Sequence, residues 1–153
     1  MLIESQVEIQ GSASAVWNII SDIENASEAI SGIDEVEILE KPDEGLVGLK
    51  WRETRTLYGK TATEVMWITE AVENESYTAR AESHGCLYLS TPSLAQKDDG
   101  VSLTMRHETK TQAFMAKLLA PVMGLMFKKT FRKLIHQDLT DIKAAVEAKS
   151  EVE

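Results

Sequence analysis

The chain has 153 residues, 43% of them hydrophobic and 27% charged, with a formal net charge of -9. That length suits one domain with its own core, and that composition argues against a disordered chain. The acidic balance argues against nucleic-acid binding, which needs basic side chains to neutralise phosphates. Cys86 is the single cysteine, which leaves no intrachain disulfide and no thiolate cluster for a metal.

The opening MLIESQVEIQ has acidic residues and no basic stretch ahead of an apolar core, so it does not read as a signal peptide. No apolar run reaches the ~20 residues that span a bilayer, and the expected location is the cytoplasm. Residues 2–9 alternate, with Ile3, Val7 and Ile9 on one side, which predicts a half-buried strand. Ser12 or Ser14 can cap a helix running to about Ser21, with Val16, Ile19, Ile20 and Ile23 sharing a face. A second short helix is expected over Asn25 to Ile30.

From Val36 to Thr111 the pattern has period two, cut by the turn signals KPDEG, YGK, ENES, SHG and KDDG. Six strands are expected, near 36–40, 48–58, 60–70, 76–83, 86–96 and 101–111. Short turns make neighbouring strands antiparallel. Beyond Thr111 the pattern is helical to about Ala148. One domain over 1–153 follows, of α+β class: a curved antiparallel sheet of about seven strands covered by a long C-terminal helix. Between a curved sheet and a helix, space remains unless large side chains fill it.

The stretch SASAVWNIISDIENASEAISGIDEVEIL resembles the opening of the START-like (SRPBCC) superfamily, in its polyketide cyclase/dehydrase-type branch. The likeness rests on Val16 and Trp17 in the first helix and Asp22 after it. Gly48 ahead of a long strand, WITEAVENESY and DDGVSLTMRHE extend it over nearly the whole chain. The resemblance implies a helix-grip fold that binds hydrophobic molecules such as lipids, sterols, polyketides or quinones between sheet and helix. Some relatives catalyse cyclisation or dehydration. Where relatives carry an aromatic residue soon after the Asp, this chain has Asn25 to Ala29.

A two-residue loop at Tyr58-Gly59 sets Arg55 opposite Ala62, Glu53 opposite Glu64, Trp51 opposite Met66 and Leu49 opposite Ile68. The face carrying Leu49, Trp51, Met66 and Ile68 must be the inner one, so Glu53, Arg55 and Glu64 turn inward too. That is unusual for charges. On the last strand, Leu103 and Met105 define the inner face, and His107 shares it. Two readings stand. Glu53, Glu64 and His107 are candidates for general acid–base catalysis, or Arg55 bridges the glutamates and the group orients a ligand. The second is preferred.

YGKT lacks the earlier glycine of a phosphate loop, and Thr54 stands in its place. His84, His107 and His136 have no metal-ligand spacing; no metal and no cofactor are expected. On the terminal helix, Phe127, Phe131, Leu134, Ile135, Ile142, Ala145 and Val146 gather on one face, with Lys129, Lys133, His136, Thr140 and Glu147 opposite. Carried backward, the wheel puts Leu118, Leu119, Val122, Leu125 and Met126 mostly on the polar side. Three explanations remain open: Pro121 breaks or kinks the helix so that the segment closes over a cavity, the patch meets a partner, or Pro121 marks the first turn.

The expected function is binding, transport or sensing of a hydrophobic or amphipathic small molecule. Leu49, Trp51, Met66, Ile68, Leu103, Met105, Met123, Phe127 and Phe131 would form its apolar wall, while Glu53, Arg55, Glu64 and His107 would orient a polar end. The rivals are a cyclase or dehydrase, and a module using residues 118–133, with basic Lys128, Lys129, Arg132 and Lys133, against a membrane or a second copy.

Overall fold

The computed structural model describes the backbone of residues 1–111 and 114–152, and the side chains of 1–110 and 128–149. Strand β1 (Leu2–Ile9) leads into helix α1 (Ala13–Ile20), then through a tight turn of helix at Ile23–Asn25 into the short α2 (Ala26–Ala29). Strands β2 (Glu35–Glu40), β3 (Lys50–Leu57), β4 (Lys60–Val72), β5 (Ser76–Ser83), β6 (Cys86–Lys97) and β7 (Gly100–Thr111) follow, and α3 (Phe114–Val152) closes the chain. The strands form one antiparallel, curved sheet in the order β1-β7-β6-β5-β4-β3-β2. The α+β helix-grip expectation therefore holds.

Local chemistry explains these boundaries. Ser12 caps α1 by accepting a hydrogen bond from Ala15 N, at 3.1 Å, which satisfies a donor that the helix start leaves open. Tyr58 (φ 53°) and Gly59 (φ 78°) both adopt the left-handed conformation that a two-residue hairpin demands. That turn fixes the register derived from sequence, with Glu53 paired to Glu64 and Trp51 to Met66. Gly100 passes so close to the Ile9 carbonyl that any Cβ would collide with it, which lets β7 start tightly against β1. Register shifts at Ile38/Glu40 and Ile68/Glu70 bend the sheet's far half.

The main core lies where β1 and β7 meet α1 and α3. Ile3, Val16, Val101, Leu103 and Leu139 there have no solvent exposure, and each contributes on the order of 2 kcal/mol by leaving water. Trp17 belongs to this core and meets Tyr77 edge to face, with ring centroids 6.1 Å apart. A second, smaller cluster gathers Ile23, Leu49, Trp51, Ile68 and Ala79.

Helix α3 starts at Phe114 and continues through Pro121. Pro121 therefore neither ends the helix nor marks its first turn, because the helix has already begun before it. Whether Leu118 to Met126 cover a cavity lies outside the described side chains. Within them, Ile135, Leu139, Ile142 and Val146 form the buried stripe, while Lys129, Arg132, Lys133 and His136 are exposed. Among the described residues, no helix is long and apolar enough to cross a membrane.

Candidate functional site

Small side chains on the inner face of the central strands leave the sheet unfilled. Ala62 on β4, Ala79 on β5, and Ser90 and Pro92 on β6 stand where a packed core would place large apolar groups. The result is a cavity of about 290 Å³ between sheet, helices α1–α2 and α3. Ile19, Ile23, Ile30 and Ile33 line its helical side, and Leu103, Met105, Phe131 and Ile135 close the β7–α3 side. This is the lower end of the size range of small-molecule pockets.

One end of the cavity is charged. Arg55 donates from Nε to Glu53 Oε2 at 2.9 Å, and its two Nη groups reach Asp138 Oδ1 and Oδ2 at 3.2 and 2.9 Å. The pairing ties β3 to α3 across the cavity. Glu53, Asp138 and Arg55 side chains are only 16%, 20% and 25% exposed. Burial works against the Arg55 charge, but the hydrogen bonds to Asp138 and the charges of Glu53 and Asp138 outweigh it and hold the guanidinium firmly protonated. At Asp138 burial pushes the carboxyl pKa up, and the Arg55 fork only partly offsets that. Gly32 leaves room for the pair: a Cβ there would lie 3.1 Å from Arg55 Nη1. Next to it, Ser31 holds the loop to α3 by donating N–H and O–H to Asp141 Oδ2, at 2.9 and 2.6 Å.

Glu64 faces Glu53 across the β3–β4 ladder and lines the same cavity. Burial raises its pKa, the Glu53 charge adds to that, and Arg55 and His84 pull it back. His107 sits deeper, against Phe131, with ring centroids 4.7 Å apart. Its Nδ1 lies 2.8 Å from Ser90 Oγ. Burial, helped by the nearby N-terminal charge, lowers its pKa from 6.5 to about 4, so the ring is neutral at neutral pH. Among the described residues, His107 Nε2 and Trp51 Nε1 are buried without a hydrogen-bond partner. Buried polar atoms left this way are rare and costly. Tyr77 is satisfied by contrast, donating its hydroxyl to Ile20 O at 3.2 Å.

The structure thus brings Trp51, Glu53, Arg55, Glu64, Met66, Leu103, Met105, His107 and Phe131 to one cavity. Leu49 and Ile68 sit beside it, packed with Ile23 in the smaller core cluster and not on the wall. The side chains of Met123 and Phe127 lie outside the described residues. Among the described side chains, His107 shares its hydrogen bond with Ser90 and Glu53 shares its bonds with Arg55, so the glutamates and the histidine form no linked proton relay.

Sequence reasoning missed Asp138, Ser90 and Tyr77. Asp138 had a signal: it lies three residues beyond Ile135 and four before Ile142, on the apolar stripe of α3. A carboxylate at that spacing must face inward. Ser90 had none, because its pairing with His107 depends on the observed β6–β7 register. His84 and Gly85 form the β5–β6 turn, and His136 meets Ser5 Oγ at 3.0 Å on the surface. Among the described residues, no group of His, Cys, Asp and Glu is arranged to hold a metal ion.

Residues 2–147 match the family model described as polyketide cyclase / dehydrase and lipid transport. No curated protein matches the sequence. Solved structures do match in fold. A START superfamily protein from Mycobacterium smegmatis superposes with a TM-score of 0.76 at 18% identity, over 96% of this chain and 97% of that one. The Zhui aromatase/cyclase from Streptomyces sp. R1128 gives 0.74 at 14% identity, over 98% and 95% of the two chains. The di-domain ARO/CYC StfQ of the steffimycin biosynthetic pathway gives 0.80 at 13% identity; 98% of this chain covers 52% of StfQ, about half its length. At such identities the likeness is one of fold.

Proposed function

Because the chain belongs to the polyketide cyclase/dehydrase and lipid transport family, we propose that it binds a small amphipathic molecule in the cavity between sheet and α3. The observation that carries this reading is the cavity itself. Its wall is apolar over most of its extent, its central strands carry small residues, and its polar groups are confined to a few positions. That distribution suits a ligand with an apolar body and a polar end. Trp51 Nε1 and His107 Nε2 support it further, since a ligand oxygen or hydroxyl could satisfy groups the protein leaves unpaired. Burying the ligand's apolar body would stabilise the complex by roughly 25 cal/mol per Å² removed from water.

The test is native mass spectrometry of gently purified protein, followed by organic extraction. A stoichiometric small molecule is expected. A protein that is empty, and that also binds no neutral hydrophobic fluorophore, would sink the reading.

A catalytic reading has one observation in its favour: Glu64, with its raised pKa, and neutral His107 line the same cavity. Either could move a proton for a cyclisation or dehydration. On that reading Glu64→Gln and His107→Ala abolish turnover of the extracted ligand and leave its binding measurable. Unchanged turnover in both variants removes it.

A further inference from the structure

The charges that line the cavity do not balance. Among the described residues that line the cavity, Glu53, Glu64 and Asp138 face one cation, Arg55, with His84 acting on Glu64 from the β5–β6 turn outside that lining. Arg55 is already engaged, since Nε is given to Glu53 and both Nη groups are given to Asp138. A ligand carboxylate would therefore find no free guanidinium fork, and it would meet carboxylates on β3, β4 and α3. Glu64 is the member left over. Among the described residues it has no hydrogen-bond or ion-pair partner, although the ladder sets it directly opposite Glu53. Like charges facing each other across two strands destabilise the pair, at a Cβ separation of roughly 5 Å.

The order along this wall runs carboxylate (Asp138), guanidinium (Arg55), carboxylate (Glu53), then carboxylate again (Glu64). Among the described residues, no side-chain cation stands between the last two. Trp51, two residues before Glu53 on the same strand face, is 3% exposed and lines the cavity, and among the described residues its indole N–H has no acceptor, which suits an oxygen on the ligand beside the cation. Its ring also gives a cation near Glu53 an aromatic neighbour.

We propose that the cavity selects an apolar molecule whose polar end is a protonated amine, held between Glu53 and Glu64, and that it rejects molecules ending in a carboxylate. This rests on the binding function proposed above and narrows it to a class of ligand. The bound ammonium would complete the alternation of charge, relieve the Glu53–Glu64 repulsion and donate to both carboxylates. Arg55 and Asp138 would act by holding Glu53 in place. An oxygen acceptor near the amine would meet Trp51 Nε1.

The experiment displaces a neutral fluorophore, N-phenyl-naphthylamine, with three competitors that share one apolar body: naphthylmethylamine, naphthylmethanol and naphthoic acid. The amine is expected to compete at least about tenfold better than the alcohol, and the acid worst. In Glu64→Gln the advantage of amine over alcohol should vanish. The thermal midpoint of unliganded Glu64→Gln should not fall, which separates lost recognition from lost folding. An acid that competes best, or an amine preference that survives Glu64→Gln, overturns the proposal and leaves the cavity reading standing. A fluorophore that does not bind overturns the cavity reading and this proposal with it.

Discussion

Where β1 and β7 meet α3, the inner face of the sheet is filled: Ile3, Val101 and Leu103 on the strands and Leu139 on the helix have no exposure at all. Where β3 and β4 approach the same helix, the inner face carries Glu53, Arg55 and Glu64 beside small residues such as Ala62, and a cavity opens. Both regions belong to one continuous sheet, and the difference is made by the side chains together with the register shifts that bend the far half. The first region holds the fold through apolar packing. The second surrenders packing and accepts buried charge, and it is where the proposed ligand would lie.

Substitutions should separate these regions. The largest effect is expected in the packed one. Ile3→Ala removes a side chain with no exposure and leaves a void that its neighbours cannot fill; chemical denaturation should show a loss of about 4 kcal/mol. If the loss stays under about 1 kcal/mol, this end is not the seat of stability.

Acid gives the next effect. The pKa of His107 is about 4 in the fold against 6.5 for the free group. The unfolded chain therefore binds its proton first, and the stability held by the neutral ring is present above about pH 6.5 and lost as pH falls toward 4. The gross contribution is about 3 kcal/mol. Glu64 and Asp138 work in the opposite sense: their raised pKa values make the fold bind protons more tightly than the unfolded chain. The test is therefore a difference, in which His107→Leu flattens the acid limb of the stability curve relative to wild type. Parallel curves would show that His107 does not carry it.

Breaking the cross-cavity pair comes third. Arg55→Ala strands Glu53 and Asp138, both largely shielded from water, without a counterion. A loss of about 2 kcal/mol is expected at neutral pH, and it should shrink in acid as Asp138, whose pKa burial already raises, takes up a proton. The smallest effect has the opposite sign: Glu64→Gln removes a charge facing Glu53 and should stabilise the unliganded protein by up to about 1 kcal/mol. A destabilised Glu64→Gln would mean that the carboxylate has a structural partner.

Much of this contrast was legible in the sequence, because β3 and β4 are joined by a two-residue hairpin loop. Once Tyr58 and Gly59 are placed in the turn, period two decides which way Glu53, Arg55 and Glu64 point, with no long-range knowledge. The same parity placed His107 on the inner face of β7. What could not be read depends on contacts distant in sequence. The partner of Arg55 is Asp138, on another element, and only its place on the apolar stripe hinted at it. The cavity follows from Ala79 and Ser90 becoming neighbours across β5 and β6, and from how β5 lies against β4 beyond the bulge at Ile68/Glu70, which no sequence signal marked. At Pro121 the local preference against helix interiors does not end the helix, and α3 continues through it.

The central claim is that the cavity, and not the surface, is where a ligand goes. Ala29 on α2 is half-buried and lines the cavity without belonging to either core cluster, so Ala29→Trp should fill the space and spare the fold. Titrating wild type and this variant with the neutral fluorophore is the direct measurement. The account predicts saturable binding at one site in the wild type and its loss in Ala29→Trp, with the thermal midpoint little changed. Equal binding by both proteins would contradict it.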